Sequence, residues 1–187
     1  LTPMSRVLLQ HLASKEYQGS VTYLDIAMKG TLGDLAASRA DLAIIALPIE
    51  QLAAALEVAG RIQCRAALIL SIGVDASLAK KLHAIAKEHG LYLLGPNSLG
   101  FQCPKSLLNA SALGKLAQPG ALAVVSQPGA ITTSILDWAG KNGVGFSAVV
   151  SLGVNTAVDL AQVLDYLADD ANTQTIVVYM EGIKNAR

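Results

Sequence analysis

The stretch Gly95-Pro96-Asn97-Ser98-Leu99-Gly100 decides how this chain is divided. It follows the short apolar run 91–94, and after it the alternation of strand and helix patterns begins again. Glycine and proline end a strand, and asparagine and serine form turns. The stretch is therefore predicted to be the last loop of one α/β unit and the entrance to a second. Loops at the carboxyl ends of parallel strands are where such folds hold ligands.

Continuous apolar runs alternate with helix patterns on both sides of this stretch, which is typical of parallel sheets covered on both faces. Because 101–119 has the pattern of a long irregular crossing, we predict an α/β fold with two parallel-sheet domains, over 1–95 and 96–187. Both domains are expected to be incomplete, since no strand precedes Leu1 and the chain stops at Arg187 where a helix should start. The predicted strands are 21–24, 42–47, 66–70, 91–94, 121–125, 146–150 and 175–180.

Composition excludes several classes of protein. Of the 187 residues, 52% are hydrophobic and only 15% charged, which indicates a folded core and not a disordered chain. The net charge of +0 and the absence of a basic cluster argue against sequence-independent nucleic-acid binding. The sequence contains neither an uninterrupted apolar run of about 18 residues nor a secretory signal pattern, so we expect no membrane span.

The cysteines and histidines predict structural roles. Cys64 and Cys103 lack metal-ligand spacing and are interpreted as buried free thiols of a cytoplasmic protein. His11, His83 and His89 all fall in predicted helices, without a partner arrangement for a catalytic triad or a zinc motif. No metal site is predicted.

The loops of the first half are predicted to meet at one edge, because right-handed connections bring the carboxyl ends of parallel strands together. There are four such loops: one that starts at Asp25, and the segments 48–50, 71–75 and 95–98. They are small, polar and rich in glycine, which suits a nucleotide-like ligand lying on the backbone. The alternative, ordinary loop chemistry of any α/β domain, stays open on spacing alone.

Two features of the second half could hold an anion and a proton. The turn 126–130 joins a buried strand directly to a helix, and free N–H groups at a helix start attract phosphate or carboxylate. Pro128 removes one donor, and plain capping is the alternative. Glu181 closes an apolar strand, where a carboxylate can orient an imidazole or accept its proton. A solvated strand end is the alternative.

Six segments, taken in order, resemble NDP-forming acyl-CoA synthetases and the synthetase-like region of protein lysine acetyltransferases. Both groups belong with the succinyl-CoA synthetase α subunit. The resemblance covers nearly the whole chain, and it depends on the order and spacing of motifs that are individually weak. The segments are Leu94-Gly95-Pro96-Asn97-Ser98-Leu99-Gly100, Leu108-Asn109-Ala110-Ser111, Val125-Ser126-Gln127, Ile135-Leu136-Asp137-Trp138-Ala139, Val150-Ser151-Leu152-Gly153 and Tyr179-Met180-Glu181-Gly182-Ile183-Lys184.

The resemblance implies an incomplete Rossmann-like CoA-binding domain followed by an incomplete flavodoxin-like domain of the succinyl-CoA-synthetase type. CoA or acyl-CoA would lie across the strand ends of the first domain. The second domain would hold a phosphorylated histidine positioned by Glu181. The implied CoA-binding residues are Ser71, Gly73, Gly95, Pro96, Asn97 and Ser98, and the implied phosphate-binding residues are Ser126, Gln127, Gly129 and Ala130.

Four departures from the family pattern qualify this expectation. The glycine-rich turn that contacts CoA phosphates in the family would precede Leu1, and the phosphohistidine loop would follow Arg187. Pro128 stands where the family commonly has serine. Val154-Asn155 breaks the usual Gly-Asn pairing after Leu152.

Three functions remain open at this point. The first is part of an acetate–CoA ligase type of enzyme, using ADP or ATP, phosphate and an ATP-grasp domain or subunit, with the piece alone inactive. The second is a CoA-sensing region that regulates a fused lysine acetyltransferase. The third is a Rossmann-like domain for another nucleotide. Small-molecule substrates are expected in each case, nucleic acid and membrane are not, and homo-oligomer formation is left open.

Overall fold

Two β-sheets organise the chain in this computed structural model, which describes residues 3–13, 17–24, 40–153 and 156–182. The first sheet contains β1 (Leu42–Ile45), β2 (Ala66–Ile69) and β3 (Tyr92–Leu94), in that order. All of its pairings are parallel, with Leu42 opposite Ala66 and Ala66 opposite Tyr92. The strand tips that follow Ile45, Ile69 and Leu94 therefore share one edge, as the sequence predicted.

Helices pack on both faces of this first sheet, because its strand residues are apolar on both sides. Helix α1 spans Pro3–Leu12, a 3₁₀ turn at Ile49–Gln51 leads into α2 (Leu52–Arg61), and α3 spans Ala76–Glu88. Helices α2 and α3 pack on the face that carries Ala67, Ile69 and Leu93. The carboxylate of Asp75 accepts a hydrogen bond of 2.8 Å from the Leu78 N–H, which starts α3 directly beyond the strand tip.

The second sheet contains β4 (Gly100–Cys103), β5 (Leu108–Ser111), β6 (Pro119–Ser126), β7 (Phe146–Ser151) and β8 (Thr175–Tyr179). Their order in the sheet is β5-β4-β7-β6-β8. The strands β6, β7 and β8 are parallel, whereas β4 is antiparallel to both of its neighbours. Helices α4 (Gly129–Asn142) and α5 (Leu160–Asp169) pack on opposite faces.

The segment 101–119 is not the irregular crossing that the sequence predicted. It forms the antiparallel pair β4–β5, and this pair makes the second sheet mixed instead of fully parallel. The pair lacks the exposed polar side of a half-buried strand: Gln102 and Asn109 are buried on one side, and Ala110 on the other side packs in a core cluster with residues of the first sheet. The Gln102 amide accepts from the Ala117 N–H at 3.0 Å and donates to the Lys115 carbonyl at 3.1 Å. The predicted strand at 21–24 is also absent, since those residues are exposed and outside any strand.

The two sheets share a core. Leu68 and Leu70, on the second face of the first sheet, pack against Leu8 of α1 and Ala110 of β5. Burying each leucine contributes about 1.5–3 kcal/mol, so this contact holds the β4–β5 pair and α1 firmly on the first sheet. The change from one sheet to the other falls between Leu94 and Gly100, within the stretch that also contains the predicted boundary at 95/96.

Candidate functional site

The loops 71–75 and 95–98 meet at the carboxyl edge of the first sheet. The Ser71 hydroxyl donates to the Leu47 carbonyl at 2.6 Å, which joins the tips of β1 and β2. The Asn97 N–H donates to the Ser71 carbonyl at 3.0 Å, which joins the tips of β2 and β3. These three tips form the first edge, the surface on which the sequence placed a ligand. The loop predicted from Asp25 onward lies outside the described residues.

Backbone conformation at the first edge depends on glycine at two positions. Gly73 has a φ of +80°, a left-handed conformation that favours glycine, and it is exposed. Gly95 has a φ of +86°, and a Cβ there would lie 2.3 Å from the Ile69 carbonyl oxygen. Gly95 therefore allows the chain to leave β3 in close contact with β2.

An apolar cavity of about 310 Å³ opens beside the first edge. Met4, from α1, forms one wall, and the tips of β1 and β2 form the rest. Such a cavity, bordered by polar loop groups, suits a ligand that carries both an apolar and a polar portion. Its other lining residues are Ala46, Leu47, Pro48, Ile49, Ser71 and Ile72.

Three of the predicted site residues at this edge are buried: Gly95, Pro96 and Ser98. Ser98 has no exposed surface. Its hydroxyl donates to the Ser151 carbonyl at 2.5 Å and accepts from the Gly100 N–H at 2.9 Å. Ser71 and Gly73 are the predicted residues with the greatest access to a ligand, together with part of Asn97.

The second edge lies at the start of α4, where β6 passes directly into the helix. Pro128 is the N-cap residue, and no side chain caps the helix. The first N–H groups of α4 are therefore available to an anion, as they are at any uncapped helix start. Ser126 is fully buried and its hydroxyl donates to the Pro128 carbonyl at 3.0 Å, whereas Ala130 is exposed. Hence backbone groups, not the Ser126 hydroxyl, face outward here.

Gln127 joins the tip of β6 to the residues that follow β8. Its side-chain oxygen accepts from the N–H groups of Glu181 at 2.5 Å and Gly182 at 3.1 Å. Its amide nitrogen donates to the Gly182 carbonyl at 2.7 Å. Glu181 is exposed and its backbone is fixed next to the start of α4. The structure thus brings the Gln127 side chain and the backbone of Glu181 together.

The stretch 95–100 connects the two edges. Gly153, just beyond β7, has a φ of +74°, and a Cβ there would lie 2.2 Å from the Asn97 carbonyl oxygen. The Gly153 N–H donates to the Gln127 carbonyl at 3.2 Å. On the other side, a Cβ at Gly129 would lie 2.2 Å from Cδ1 of Leu99. The loop that supports the first edge therefore also packs against the start of α4.

Sequence reasoning missed several residues that support this connection. Thr156 accepts a hydrogen bond from the Gly95 N–H at 3.1 Å through its side-chain oxygen, and Ser151 accepts one from the Leu99 N–H at 3.3 Å in the same way. These bonds cross more than fifty residues of chain. The only local signal was the presence of small polar residues after an apolar strand, which does not identify a partner.

The cysteines and histidines of the described residues have structural surroundings. Burial raises the pKa of both thiols, with nearby Asp41 adding to the effect at Cys64 and Asp170 at Cys103, so both are protonated at neutral pH. Cys64 is buried as predicted, whereas Cys103 is only partly buried. His11 contacts the Ser111 carbonyl at 2.8 Å, and His89 contacts Glu57 at 2.9 Å.

The described residues contain neither a candidate metal site nor a candidate membrane-spanning helix. Within 3–13, 17–24, 40–153 and 156–182, no group of three or more His, Cys, Asp or Glu side chains could hold a metal ion. None of the helices in those ranges is both long and apolar enough to cross a membrane.

A second cavity, of about 330 Å³, lies away from the first edge, at the amino end of β3. It is bordered by His83, Lys87 and Tyr92 on one side and by Val158 and Gln162 on the other. Gln162 is already engaged, because its side-chain oxygen accepts from the Asp159 N–H in the cap of α5.

Comparison with known proteins relates both halves of the chain to CoA ligases. Residues 119–187 match a family model described as the succinyl-CoA ligase-like flavodoxin domain. An ADP-forming acetate–CoA ligase I of Archaeoglobus fulgidus is 38% identical over 153 residues, which cover 79% of this chain and 22% of that protein. An ADP-forming acetate–CoA ligase II α subunit of Pyrococcus furiosus is 30% identical, over 92% of this chain and 41% of the subunit. The chain thus spans about a fifth to two fifths of these relatives.

Solved structures agree over almost the whole chain. A crystal structure of a Pyrococcus horikoshii protein matches with a TM-score of 0.83 and 27% identity, covering 98% of this chain and 45% of that one. A structure of a dinucleotide-forming acetyl-coenzyme A synthetase of Ca. Korarchaeum cryptofilum, in complex with phosphate and ADP, matches with a TM-score of 0.78 and 25% identity. That match covers 96% of this chain and 40% of the synthetase.

Proposed function

Because the chain belongs with the NDP-forming acyl-CoA synthetases and the succinyl-CoA synthetase α subunits, we propose that it supplies the CoA-binding portion of an ADP-forming acyl-CoA synthetase. The observation that carries the proposal is the first edge. There, loops 71–75 and 95–98 are hydrogen-bonded to each other beside an apolar cavity of about 310 Å³.

CoA, or its acyl ester, binds across this edge in the proposal. Gly73 lets a phosphate approach the backbone, since a side chain there would stand between the ligand and the peptide groups. The cavity beside Ser71 receives an apolar portion of the ligand. The residues assigned to this edge remain Ser71, Gly73, Gly95, Pro96, Asn97 and Ser98, of which Ser71 and Gly73 touch the ligand and the others act mainly by holding the edge in shape.

The second edge forms half of a phosphate site in the proposal. Backbone N–H groups at Gly129 and Ala130 bind the anion, while Ser126 and Gln127 set the position of the turn. A phosphohistidine outside residues 1–187 completes the site. The Glu181 carboxylate orients its imidazole by accepting a hydrogen bond from the ring N–H. ADP or ATP and phosphate are reactants of the larger enzyme, in which an ATP-grasp domain or subunit binds the nucleotide.

The comparisons favour this synthetase role over regulation of a lysine acetyltransferase, because the similar proteins named above are ligases and a synthetase. The proposal leaves the acyl group unassigned. The acid that is activated would be selected by residues that these two edges do not include.

Calorimetric titration of the protein with CoA, acetyl-CoA, NAD and ATP tests CoA binding directly. We expect heat from CoA or acetyl-CoA and none from NAD. A matched pair of variants locates the site: Gly73 and Gly114 both have positive φ, 80° and 104°, and a Cβ would meet only Cδ1 of Ile49 at 3.8 Å at Gly73 and nothing within 4 Å at Gly114. Gly73→Ala should weaken CoA binding about tenfold by placing a methyl group on the binding surface, and Gly114→Ala should not. Binding of NAD without CoA would refute the proposal.

Phosphoenzyme formation tests the role of Glu181 in the full-length enzyme. Glu181→Gln should lower the yield of phosphohistidine while the affinity for CoA stays unchanged, because the carboxylate lies at the second edge and CoA at the first. Unchanged phosphorylation would remove Glu181 from the mechanism.

A further inference from the structure

Asn97 uses its whole side chain to hold the loop 71–75. Its side-chain oxygen accepts from the Val74 N–H at 3.1 Å, and its amide nitrogen donates to the Val74 carbonyl at 2.9 Å. With the backbone bond from its own N–H to the Ser71 carbonyl at 3.0 Å, this residue makes three hydrogen bonds to one short loop.

The loop needs such support because its middle residues make few contacts of their own. Ile72 is 61% exposed and Gly73 is also exposed, in a positive-φ conformation. Val74 is buried, with 4% exposure, so its N–H and carbonyl would lack partners without the Asn97 amide. The amide therefore determines where Gly73 presents its backbone.

The residue type fits this task. Asn97 has a φ of +59°, a left-handed conformation that asparagine tolerates better than most residues other than glycine. A glycine could adopt this backbone conformation but has no side-chain amide to bond Val74. An aspartate would place an acceptor, instead of a donor, opposite the Val74 carbonyl. The Asn97 carbonyl also lies against Gly153, so the second sheet fixes the position of the same residue.

We propose that Asn97 is a positioning residue for the first edge: it does not bind CoA through its side chain but holds the loop 71–75 in the conformation that does. The inference rests on the proposed function. It predicts that removing the side-chain amide weakens CoA binding while the fold survives, because Asn97 itself belongs to none of the buried apolar clusters of the two sheets.

The test compares Asn97→Gly with Gln63→Gly in the full chain. Gln63 is exposed, has a φ of +58°, and lies in the turn after α2, so both variants exchange a left-handed residue for glycine. Calorimetric titration with CoA should give a Kd raised about ten- to a hundredfold for Asn97→Gly, as expected for the loss of two hydrogen bonds, and unchanged for Gln63→Gly. Thermal unfolding checks that each variant is folded at the temperature of titration.

A third variant separates positioning from loss of structure. In Asn97→Asp the carboxylate still accepts from the Val74 N–H, but at neutral pH it faces the Val74 carbonyl without a proton to donate. Lowering the pH to about 4.5 partly protonates this side chain, whose O–H then donates to that carbonyl. The affinity of Asn97→Asp relative to the parent, measured at the same pH, should therefore recover as the pH falls. Asp75 and Glu50, the carboxylates of the neighbouring loops, are the same in both proteins.

Failure of this inference and failure of the proposed function give different results. A parent protein that does not bind CoA overturns the proposed function, and the inference with it. A parent that binds CoA while folded Asn97→Gly binds equally well overturns the positioning role alone. If Asn97→Gly does not fold, Asn97→Asp decides: recovery at low pH supports the role, and an affinity ratio that does not change with pH contradicts it.

Discussion

Replacing Gly153 by alanine tests whether the stretch 95–100 joins the two edges as described. Gly153 has a φ of +74°, and the new Cβ would lie 2.2 Å from the Asn97 carbonyl oxygen. A carbon–oxygen contact needs about 3.3 Å, so the loop must move by about 1 Å. Such a movement disturbs the bond from the Ser98 hydroxyl to the Ser151 carbonyl, which are both buried.

The magnitude follows from two contributions. The left-handed conformation costs an alanine about 1–2 kcal/mol. Displacing the loop leaves one or two buried polar groups without partners, which adds about 2–4 kcal/mol. Gly143→Ala is the matched control, because Gly143 has a φ of +67° with nothing within 4 Å of a Cβ, and it carries only the first cost.

Urea unfolding followed by circular dichroism measures both variants against the parent. We expect Gly153→Ala to lower the free energy of unfolding by about 2–4 kcal/mol more than Gly143→Ala does, with a melting temperature roughly 4–16 °C below that of the control. Equal destabilisation by the two substitutions would show that Asn97 does not press against Gly153. The connection between the two edges would then have to be abandoned.

Three further outcomes are expected from side chains away from the edges. Burial raises the pKa of the Cys64 thiol, so iodoacetamide should label it far more slowly in the folded protein than in urea at pH 8; equal rates would contradict its burial. The Thr173 hydroxyl bond lowers the pKa of Asp170, so Asp170→Asn should reduce the melting temperature at pH 7. That difference should disappear as the pH falls well below the ordinary value of 3.8, and a difference that persists in acid would refute it. Gln102→Leu leaves the Ala117 N–H without its partner and should destabilise the protein by about 2–4 kcal/mol in urea; a neutral effect would contradict the buried network.

The first sheet was predictable because its strands are continuous apolar runs that end in loops rich in turn-forming residues. The handedness of parallel connections predicts that loops 71–75 and 95–98 meet at one edge of the sheet. The start of α4 directly after β6 was equally visible, since Gly129 follows a buried strand by only a few residues.

The antiparallel pair β4–β5 was not predictable in this way. Its two strands have only four residues each, and the polar residues that alternate in them, Gln102 and Asn109, are buried and hydrogen-bonded, so the alternation does not separate a buried side from an exposed one. The roles of Ser98 and Gln127 also depend on partners more than fifty residues away. Periodicity reports which face of an element is buried, but it contains no information about such pairs.

The most direct test of the central claim is a crystal structure of the protein with CoA bound. We expect CoA to lie across the tips of β1, β2 and β3. A polar group of CoA should contact the Gly73 backbone, and an apolar portion of CoA should occupy the cavity beside Ser71. CoA bound instead in the cavity at the amino end of β3, between Lys87 and Gln162, would contradict it.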